Sequence, residues 1–158
     1  MTADADQPPH QPPDRTGEPP DRTAEQQPTA DPRLGLTVVH RCYVPYSHAH
    51  YAGNLVDGAY SLARFGDVAT EVCIRTDGDE GLFAGYGEVR FLAPVRAGDV
   101  LEVRAEVIRV GRRSRELAFE ARVVCRGREG GAASAAEVLD PPIIATTARG
   151  TVVIPLDT

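Results

Sequence analysis

The stretch NLVDGAYSLARFGDVATEVC, residues 54–73, decides the fold of this 158-residue chain. At about 100° per residue, its apolar side chains fall in one sector of a helical wheel and its polar ones opposite. The pattern predicts an amphipathic α-helix of about 17–19 residues that starts near Asn54 or Leu55. Asn54 is the expected N-cap, and Asp57 is expected in the first turn, where the helix dipole favours an anion. The apolar sector holds Leu55, Ala59, Leu62, Phe65, Gly66, Ala69, Val72 and Cys73, and the polar sector holds Asp57, Tyr60, Arg64, Asp67 and Glu71.

The residues on either side of this helix form strand-like runs. These runs cover residues 36–44, 82–94, 100–110, 116–125 and 143–155, and the glycines of 82–94 predict a bulge. The runs at 100–110 and 116–125 are separated by a short loop, which is typical of an antiparallel hairpin. A single helix buries its apolar stripe on five strands only if the sheet wraps around it. We therefore predict an α+β hotdog fold, with a long central helix wrapped by a five-stranded antiparallel sheet.

The chain divides into two parts by composition. Residues 1–33 contain eight of the thirteen prolines and seven acidic residues, with few large aliphatic side chains. Such a segment buries too little apolar surface to offset its ordering entropy, so we predict a disordered, Pro-rich acidic tail. Residues 34–158 are predicted to form the hotdog domain, with a mobile loop over 126–140 that contains a helical turn near 133–139.

Charge and cysteine content narrow the classes of partner and compartment. The net charge of −6 argues against nucleic acid as the main partner. The apolar runs are too short to span a membrane, and residues 1–33 lack the apolar core of a signal peptide. Three widely spaced cysteines without a CxxC pair are expected to stay reduced. We therefore expect a cytoplasmic protein.

Several motifs point to one family. HYAGNLVDGA (50–59), FGDVATE (65–71), DGDEGLF (77–83), FLAPVRAGD (91–99) and AAEVLDPPII (135–144) resemble the hotdog family of 3-aminobutyryl-CoA and β-alanyl-CoA ammonia lyases. The resemblance implies reversible elimination of ammonia from a 3-aminoacyl-CoA to give a 2-enoyl-CoA. It implies no cofactor, since coenzyme A is part of the substrate. It is in keeping with a homodimer or higher homo-oligomer, which the exposed sheet edge also favours.

The implied reaction needs a base for the α-proton and donors for the enolate oxygen. The start of the helix offers unpaired N–H groups, and Gly58 lets the backbone approach a thioester carbonyl closely. Asp57 is predicted to act as the base or to bind the substrate ammonium, although it could simply be a favourable first-turn charge. Asn54 is predicted as a polar partner, or as no more than the helix cap. His50 is predicted as a pocket residue or proton shuttle, with plain packing as the alternative.

Asp67 and Glu71 extend the acidic character along the polar face of the helix. Asp67 lies about 15 Å along the helix from Asp57, so one helix cannot bring both to one substrate. In a dimer with antiparallel helices, Asp67 is predicted to serve the neighbouring chain's site. Glu71 is a weaker candidate. The alternative for both is an ion-paired or solvated stripe.

The loop 111–115 carries the densest basic cluster. Arg112, Arg113, Ser114 and Arg115 are predicted to bind the phosphates of CoA, because arginine binds phosphate through its planar fork. The alternative is a loop that is charged for solubility. His48 and His50 have H-x-H spacing without further ligand motifs, so no metal is expected.

Two other functions remain open on the sequence. One is an acyl-CoA thioesterase on the same fold, in which a carboxylate activates water. The other is a non-catalytic acyl-thioester binding protein. Fold alone does not separate these from a lyase, because one fold hosts many chemistries.

Overall fold

A computed structural model describes residues 30–155 as one helix packed against one sheet. The strands are β1 (Thr37–Tyr43), β2 (Leu82–Phe91), β3 (Val100–Val110), β4 (Ser114–Gly127) and β5 (Ala136–Val153). They are antiparallel in the order β1-β3-β4-β5-β2. The helix α1 (Gly58–Asp77) follows two short 3-10 turns, Tyr46–His48 and Ala52–Asn54. The predicted α+β hotdog fold is confirmed.

The apolar stripe of α1 forms the core with the inner face of the sheet. Phe65, Val68 and Val72 are fully buried, as are Leu101 and Leu117 on the central strands. The ring of Phe65 stacks on that of Phe119, with centroids 4.9 Å apart. Each such side chain contributes about 1.5–3 kcal/mol on burial, so the stripe holds the helix to the sheet.

The helix begins later than the sequence predicted. Asp57, and not Asn54, is the N-cap, because its side chain accepts a hydrogen bond from the Tyr60 N–H at 3.0 Å. Residues 54–56 are instead held by backbone bonds: Ala97 N–H donates to the Asn54 carbonyl at 2.8 Å, and Val56 N–H donates to the Val95 carbonyl at 3.0 Å. The helix ends at Asp77, with Gly78 in the left-handed region at φ 71° as its C-cap.

The strands also differ from the prediction at one end. β5 begins at Ala136, which pairs with Gly127 of β4, so the helical turn expected near 133–139 is wrong. Sheet pairing satisfies the backbone groups that a helical turn would have used. The bulge expected in β2 is confirmed by register shifts between Phe83 and Gly85 and between Tyr86 and Glu88.

The predicted tail lies mostly outside the described residues. Its last residues, 30–33, contact the end of α1: Arg33 bonds Asp31 through Nη2 at 2.7 Å and Asp77 through Nη1 at 3.2 Å. Among residues 30–155, no helix combines the length and the apolar character that crossing a bilayer requires.

Arg115 lies beneath the last turn of α1 and forms an ion pair with Asp77. Its side chain is 1% exposed, and its Nη1 also donates to the carbonyls of Gly111 and Ser114. Loss of one partner from a buried pair leaves an uncompensated charge.

We therefore expect Asp77→Ala to lower the free energy of unfolding by about 3–5 kcal/mol, measured by urea denaturation. Arg109→Ala is the control, because it breaks an ion pair whose arginine is 67% exposed and should cost less than about 1 kcal/mol. Equal losses in the two variants would contradict a stabilising role for the buried pair.

Candidate functional site

A cavity of about 440 Å³ lies at the start of α1 and is called here the helix-start cavity. Its walls come from the segment before the helix, the first turn of α1, the end of β2 and β5. Most of the lining is apolar, with a few polar groups, as in small-molecule sites. The lining residues are Tyr51, Val56, Asp57, Gly58, Ser61, Phe91, Leu92, Ala93, Pro94, Val95 and Thr146.

Asp57 and Gly58 are the predicted site residues that line this cavity. Asp57 is half-buried, and its Oδ1 accepts the Tyr60 N–H. A helix leaves its first N–H groups without intrahelical partners, and this side-chain cap uses only that of Tyr60. The N–H groups of Gly58 and Ala59 are therefore left to a ligand or water, beside a carboxylate.

Gly58 also leaves room for a neighbouring aromatic ring. A Cβ at this position would lie 2.6 Å from Cζ of Phe91, which is closer than carbon atoms approach. The Phe91 ring therefore packs directly on the first residue of the helix and forms one wall of the cavity. Any side chain larger than hydrogen would displace that wall.

Two buried hydroxyls complete the cavity and were missed by the sequence analysis. Oγ1 of Thr146 and Oγ of Ser61 lie 3.1 Å apart, and both residues are 2% exposed. One bond between two hydroxyls uses one of their two protons, so one O–H remains as a donor. The signal for Ser61 was weak, because a serine in the first turn of a helix is common. Only the fold brings Thr146 to it.

His50 lies in a second cavity, called here the histidine cavity, of about 380 Å³. His48, Tyr60 and Arg64 line it too, and Asp57 borders both this cavity and the helix-start cavity. The His48 ring lies 5.0 Å from that of Tyr60, and the Arg64 guanidinium lies 5.4 Å from the same ring. Burial raises the pKa of the Tyr60 phenol, so it stays protonated at neutral pH.

Asn54 lies apart from Asp57, in a third cavity of about 550 Å³. Its backbone adopts φ 61°, and its side chain is exposed. The loop 96–99, the tip of the β4–β5 hairpin, Tyr43 and Tyr46 also line this cavity. The structure therefore does not bring Asn54 together with Asp57 around one cavity.

Asp67 and Glu71 form ion pairs along the outer face of α1. Asp67 pairs with Arg64 at 3.1 Å, and its side chain is 53% exposed. Glu71 is hydrogen-bonded to His40 at 2.5 Å and forms an ion pair with Arg75 at 2.6 Å. Hydrogen bonds from His40 and Arg75 lower the pKa of Glu71. Ten residues of helix separate Asp67 from Asp57, about 15 Å, so the two do not meet within one chain.

The basic loop lies at the opposite end of α1 from these cavities. The assignment of Arg115 to phosphate binding is corrected, because its buried guanidinium holds Asp77. Arg113 donates through Nε to the Ile154 carbonyl at 3.0 Å, while Arg112 is exposed. The twenty residues of α1 span about 30 Å between this loop and Gly58.

His48 and His50, which have H-x-H spacing, make separate aromatic contacts. Within the described part of the chain, no three His, Cys, Asp or Glu side chains are grouped as metal ligands. His48 packs on Tyr60, while the ring of His50 lies 4.5 Å from that of Tyr51.

Comparison with known proteins identifies relatives that match much of this chain. Residues 53–129 match the family model described as the thioesterase superfamily. A 3-aminobutyryl-CoA ammonia lyase of Acetoanaerobium sticklandii is 52% identical over 109 residues, which are 69% of this chain and 86% of that protein.

Solved structures agree with that match. The β-alanyl-CoA:ammonia lyase of Clostridium propionicum has a TM-score of 0.73 and 37% identity, over 77% of this chain and 86% of that chain. A hexameric hotdog-fold thioesterase of Campylobacter jejuni has a TM-score of 0.62 at 20% identity, over 74% of this chain and 81% of that chain, and shares the fold. The identity and coverage of the two lyases show that this chain belongs to the hotdog family of 3-aminobutyryl-CoA and β-alanyl-CoA ammonia lyases.

Proposed function

We propose that this protein is a lyase that eliminates ammonia reversibly from a 3-aminoacyl-CoA to give a 2-enoyl-CoA. The observation that carries the proposal is the helix-start cavity, in which the Asp57 carboxylate and the first residue of the helix, Gly58, border an apolar chamber. The relatives named as ammonia lyases on aminoacyl-CoA thioesters support it.

The thioester oxygen is held at the first turn of α1. Removal of the α-proton places negative charge on this oxygen, and preorganised donors stabilise that charge. The N–H groups of Gly58 and Ala59 lie at the positive end of the helix dipole. The remaining O–H of the Ser61–Thr146 pair supplies a further donor from the cavity wall.

Asp57 takes the α-proton. The electron pair of the Cα–H bond forms the Cα=Cβ double bond, and the Cβ–N bond breaks as neutral ammonia leaves. The proton remains on the carboxyl group until it is passed on toward solvent. In the reverse direction, ammonia attacks Cβ and Asp57 returns the proton to Cα. His50, across the Asp57 wall in the histidine cavity, is the shuttle that exchanges this proton with solvent.

A second copy of the chain completes the site. β2 is an edge strand, and Leu82, Phe91 and the adjacent Leu92 leave large apolar side chains exposed there. Pairing of two β2 edges would cover these side chains and close the helix-start cavity from solvent. Asp67 of the second copy would then contact the substrate ammonium in this site. Asp67 cannot reach the site that contains the Asp57 of its own chain.

The cellular compartment of the protein is proposed from its free cysteines. Cys42, Cys73 and Cys125 are free, which supports a reducing, cytoplasmic compartment.

Coenzyme A enters as part of the substrate, and the mechanism above uses the chain's own groups and no separate cofactor. A thioesterase activity is the second candidate, because the matched family model is that of the thioesterase superfamily.

A combined assay of enoyl loss and thiol release separates these activities. With crotonyl-CoA and ammonium, we expect loss of the enoyl absorbance without release of free thiol, whereas a thioesterase would release thiol. Asp57→Asn should lower the lyase rate by about 10²–10⁴-fold, because the base is lost. Asparagine still caps a helix, so the melting temperature should stay near that of the wild type.

Glu80→Gln, an exposed carboxylate at the far end of α1, is the matched control and should keep the full rate. Full activity in Asp57→Asn would contradict its role as the base. Thiol release by the wild type at a rate above amine addition would favour the thioesterase.

A further prediction concerns the approach of Phe91 to the helix. Gly58→Ala should lower kcat/KM by about tenfold or more, because its Cβ displaces the Phe91 ring that walls the cavity. In Gly66→Ala the new Cβ meets open space in the same helix. That variant should keep its activity and gain about 0.5–1 kcal/mol of stability. Equal activity in the two variants would overturn the role of the Gly58–Phe91 contact.

Mixing of two inactive variants tests whether Asp67 acts on the neighbouring chain. Asp57→Asn and Asp67→Asn should each be nearly inactive alone. When the two variants are unfolded together and refolded, about half of the dimers are mixed and each carries one intact site, so about a quarter of wild-type activity should return. If both carboxylates act within one chain, mixing restores nothing.

A further inference from the structure

The histidine cavity has a polar lining that the mechanism above uses only through His50. Its volume is about 380 Å³, and it adjoins the helix-start cavity at Asp57, which lines both. Resting on the proposed function, we propose that the histidine cavity binds ammonium and small primary ammonium ions, so that the amine reaches Asp57 from the side opposite the thioester.

Two small side chains on α1 leave the space for this cavity. Ala59 and Ala63 are four residues apart, so they lie on one face of the helix, and both line the cavity and are exposed. The segment 47–50 forms the facing wall. A water molecule takes about 30 Å³ in the liquid. The cavity therefore has room for ammonium, which is of similar size, and for the alkyl group of a small primary amine.

The charge of the cavity suits a small cation. Arg64 lines it, but its guanidinium is paired with Asp67 at 3.1 Å. The Asp57 carboxylate accepts the Tyr60 N–H and has no ion-pair partner among residues 30–155. With the histidines neutral at pH 7, these groups together carry one net negative charge. An ammonium ion is attracted to this charge, whereas an anion is repelled.

The two imidazoles of the cavity offer acceptors for the N–H groups of an ammonium ion. The His48 ring lies 5.0 Å from that of Tyr60, and the His50 ring lies 4.5 Å from that of Tyr51. Within the described part of the chain, a ring nitrogen of His40 is hydrogen-bonded, but those of His48 and His50 are not. A neutral imidazole has one acceptor nitrogen. The aromatic contacts thus hold both rings and leave their nitrogens to a ligand.

The helix-start cavity is a poorer route for the same cation. Most of its lining is apolar, and transfer of an ammonium ion from water to apolar surroundings is costly. In the mechanism above, the acyl thioester already fills this cavity when ammonia adds. The two cavities adjoin at residues 57–59, which span about 3 Å along the helix axis. A nitrogen bound beside the histidines therefore lies next to Asp57.

The protons of amine addition balance within this arrangement. Bound ammonium gives one proton to the His50 imidazole, which passes it to Asp57. The lone pair of the resulting ammonia forms the bond to Cβ, and the electron pair of the double bond takes the proton of Asp57 at Cα. One ammonium ion thus supplies both the nucleophile and the α-proton. A primary ammonium ion reacts in the same way and gives an N-alkyl-3-aminoacyl-CoA.

Steady-state kinetics distinguish the amine site from the thioester site. In Ala63→Leu, the new side chain fills the histidine cavity from an exposed helix position, where leucine is a good helix former. We expect KM for ammonium and for methylammonium to rise about tenfold or more, while KM for crotonyl-CoA stays within about twofold. Thr70→Leu places the same side chain at an exposed position of α1 outside the cavity. This matched control should keep the wild-type KM values.

Binding of the cation is also measured without turnover. Ammonium chloride should shift the NMR resonances of the His48 and His50 ring protons in a saturable way, whereas sodium chloride at equal ionic strength should not. Ala63→Leu should weaken this binding about tenfold. His48→Phe keeps an aromatic ring against Tyr60 but loses the imidazole nitrogens, so it should weaken the binding as well. The His48→Phe result decides the outcome if Ala63→Leu changes the oligomeric state.

The cation site and the lyase reaction fail separately in these experiments. A saturable shift with ammonium and no ammonia addition keeps the site and removes the lyase proposal. Equal shifts with both salts overturn the site, whatever the activity. An unchanged KM for ammonium in both Ala63→Leu and His48→Phe also overturns it. A parallel rise of both KM values in these variants would place the thioester in this cavity, which again overturns the proposal.

Discussion

Burial of one face of α1 against the sheet is the constraint on which the rest of this structure depends. Phe65, Val68 and Val72 are buried on the inner face, so the helix cannot rotate without exposing them. That fixed rotation turns the polar stripe outward and aims the first turn at the end of β2. The position of Asp57, Gly58 and Ser61 around one cavity is a consequence of core packing.

The two ends of α1 differ in how their polar groups are satisfied. At its start, one carboxylate caps the helix, and Gly58, whose N–H has no intrahelical partner, lines an apolar cavity. At its end, Asp77 and Arg115 neutralise each other under the last turn, and Arg33 joins them. The polar groups at the start of α1 remain available to a ligand, whereas those at its end are paired within the chain. Within one chain, the basic loop near Arg115 lies at the end of α1 opposite the cavity.

Sequence reasoning predicted the helix, the five strands and the β2 bulge, because side-chain periodicity is a local property. It placed the helix start near Asn54, since asparagine and aspartate are both good caps and the pattern does not choose between them. The position of the N-cap is set by backbone hydrogen bonds between residues 54–56 and 95–97, two segments that are distant in sequence. Local patterns do not show contacts between distant segments, so the sequence did not indicate Thr146, which lies 85 residues from Ser61.

By itself, the sequence determined the fold class, the family and two groups of the helix-start cavity, Asp57 and Gly58. Those features follow from local pattern and from motifs that are read along the chain. Only the tertiary structure decided which charged residues are buried, which cavity each candidate borders, and at which end of α1 the basic loop lies. Strand pairing sets those positions, and pairing joins residues that no local pattern connects: Arg115 of β4 meets Asp77 of α1, and Arg96 meets Leu55.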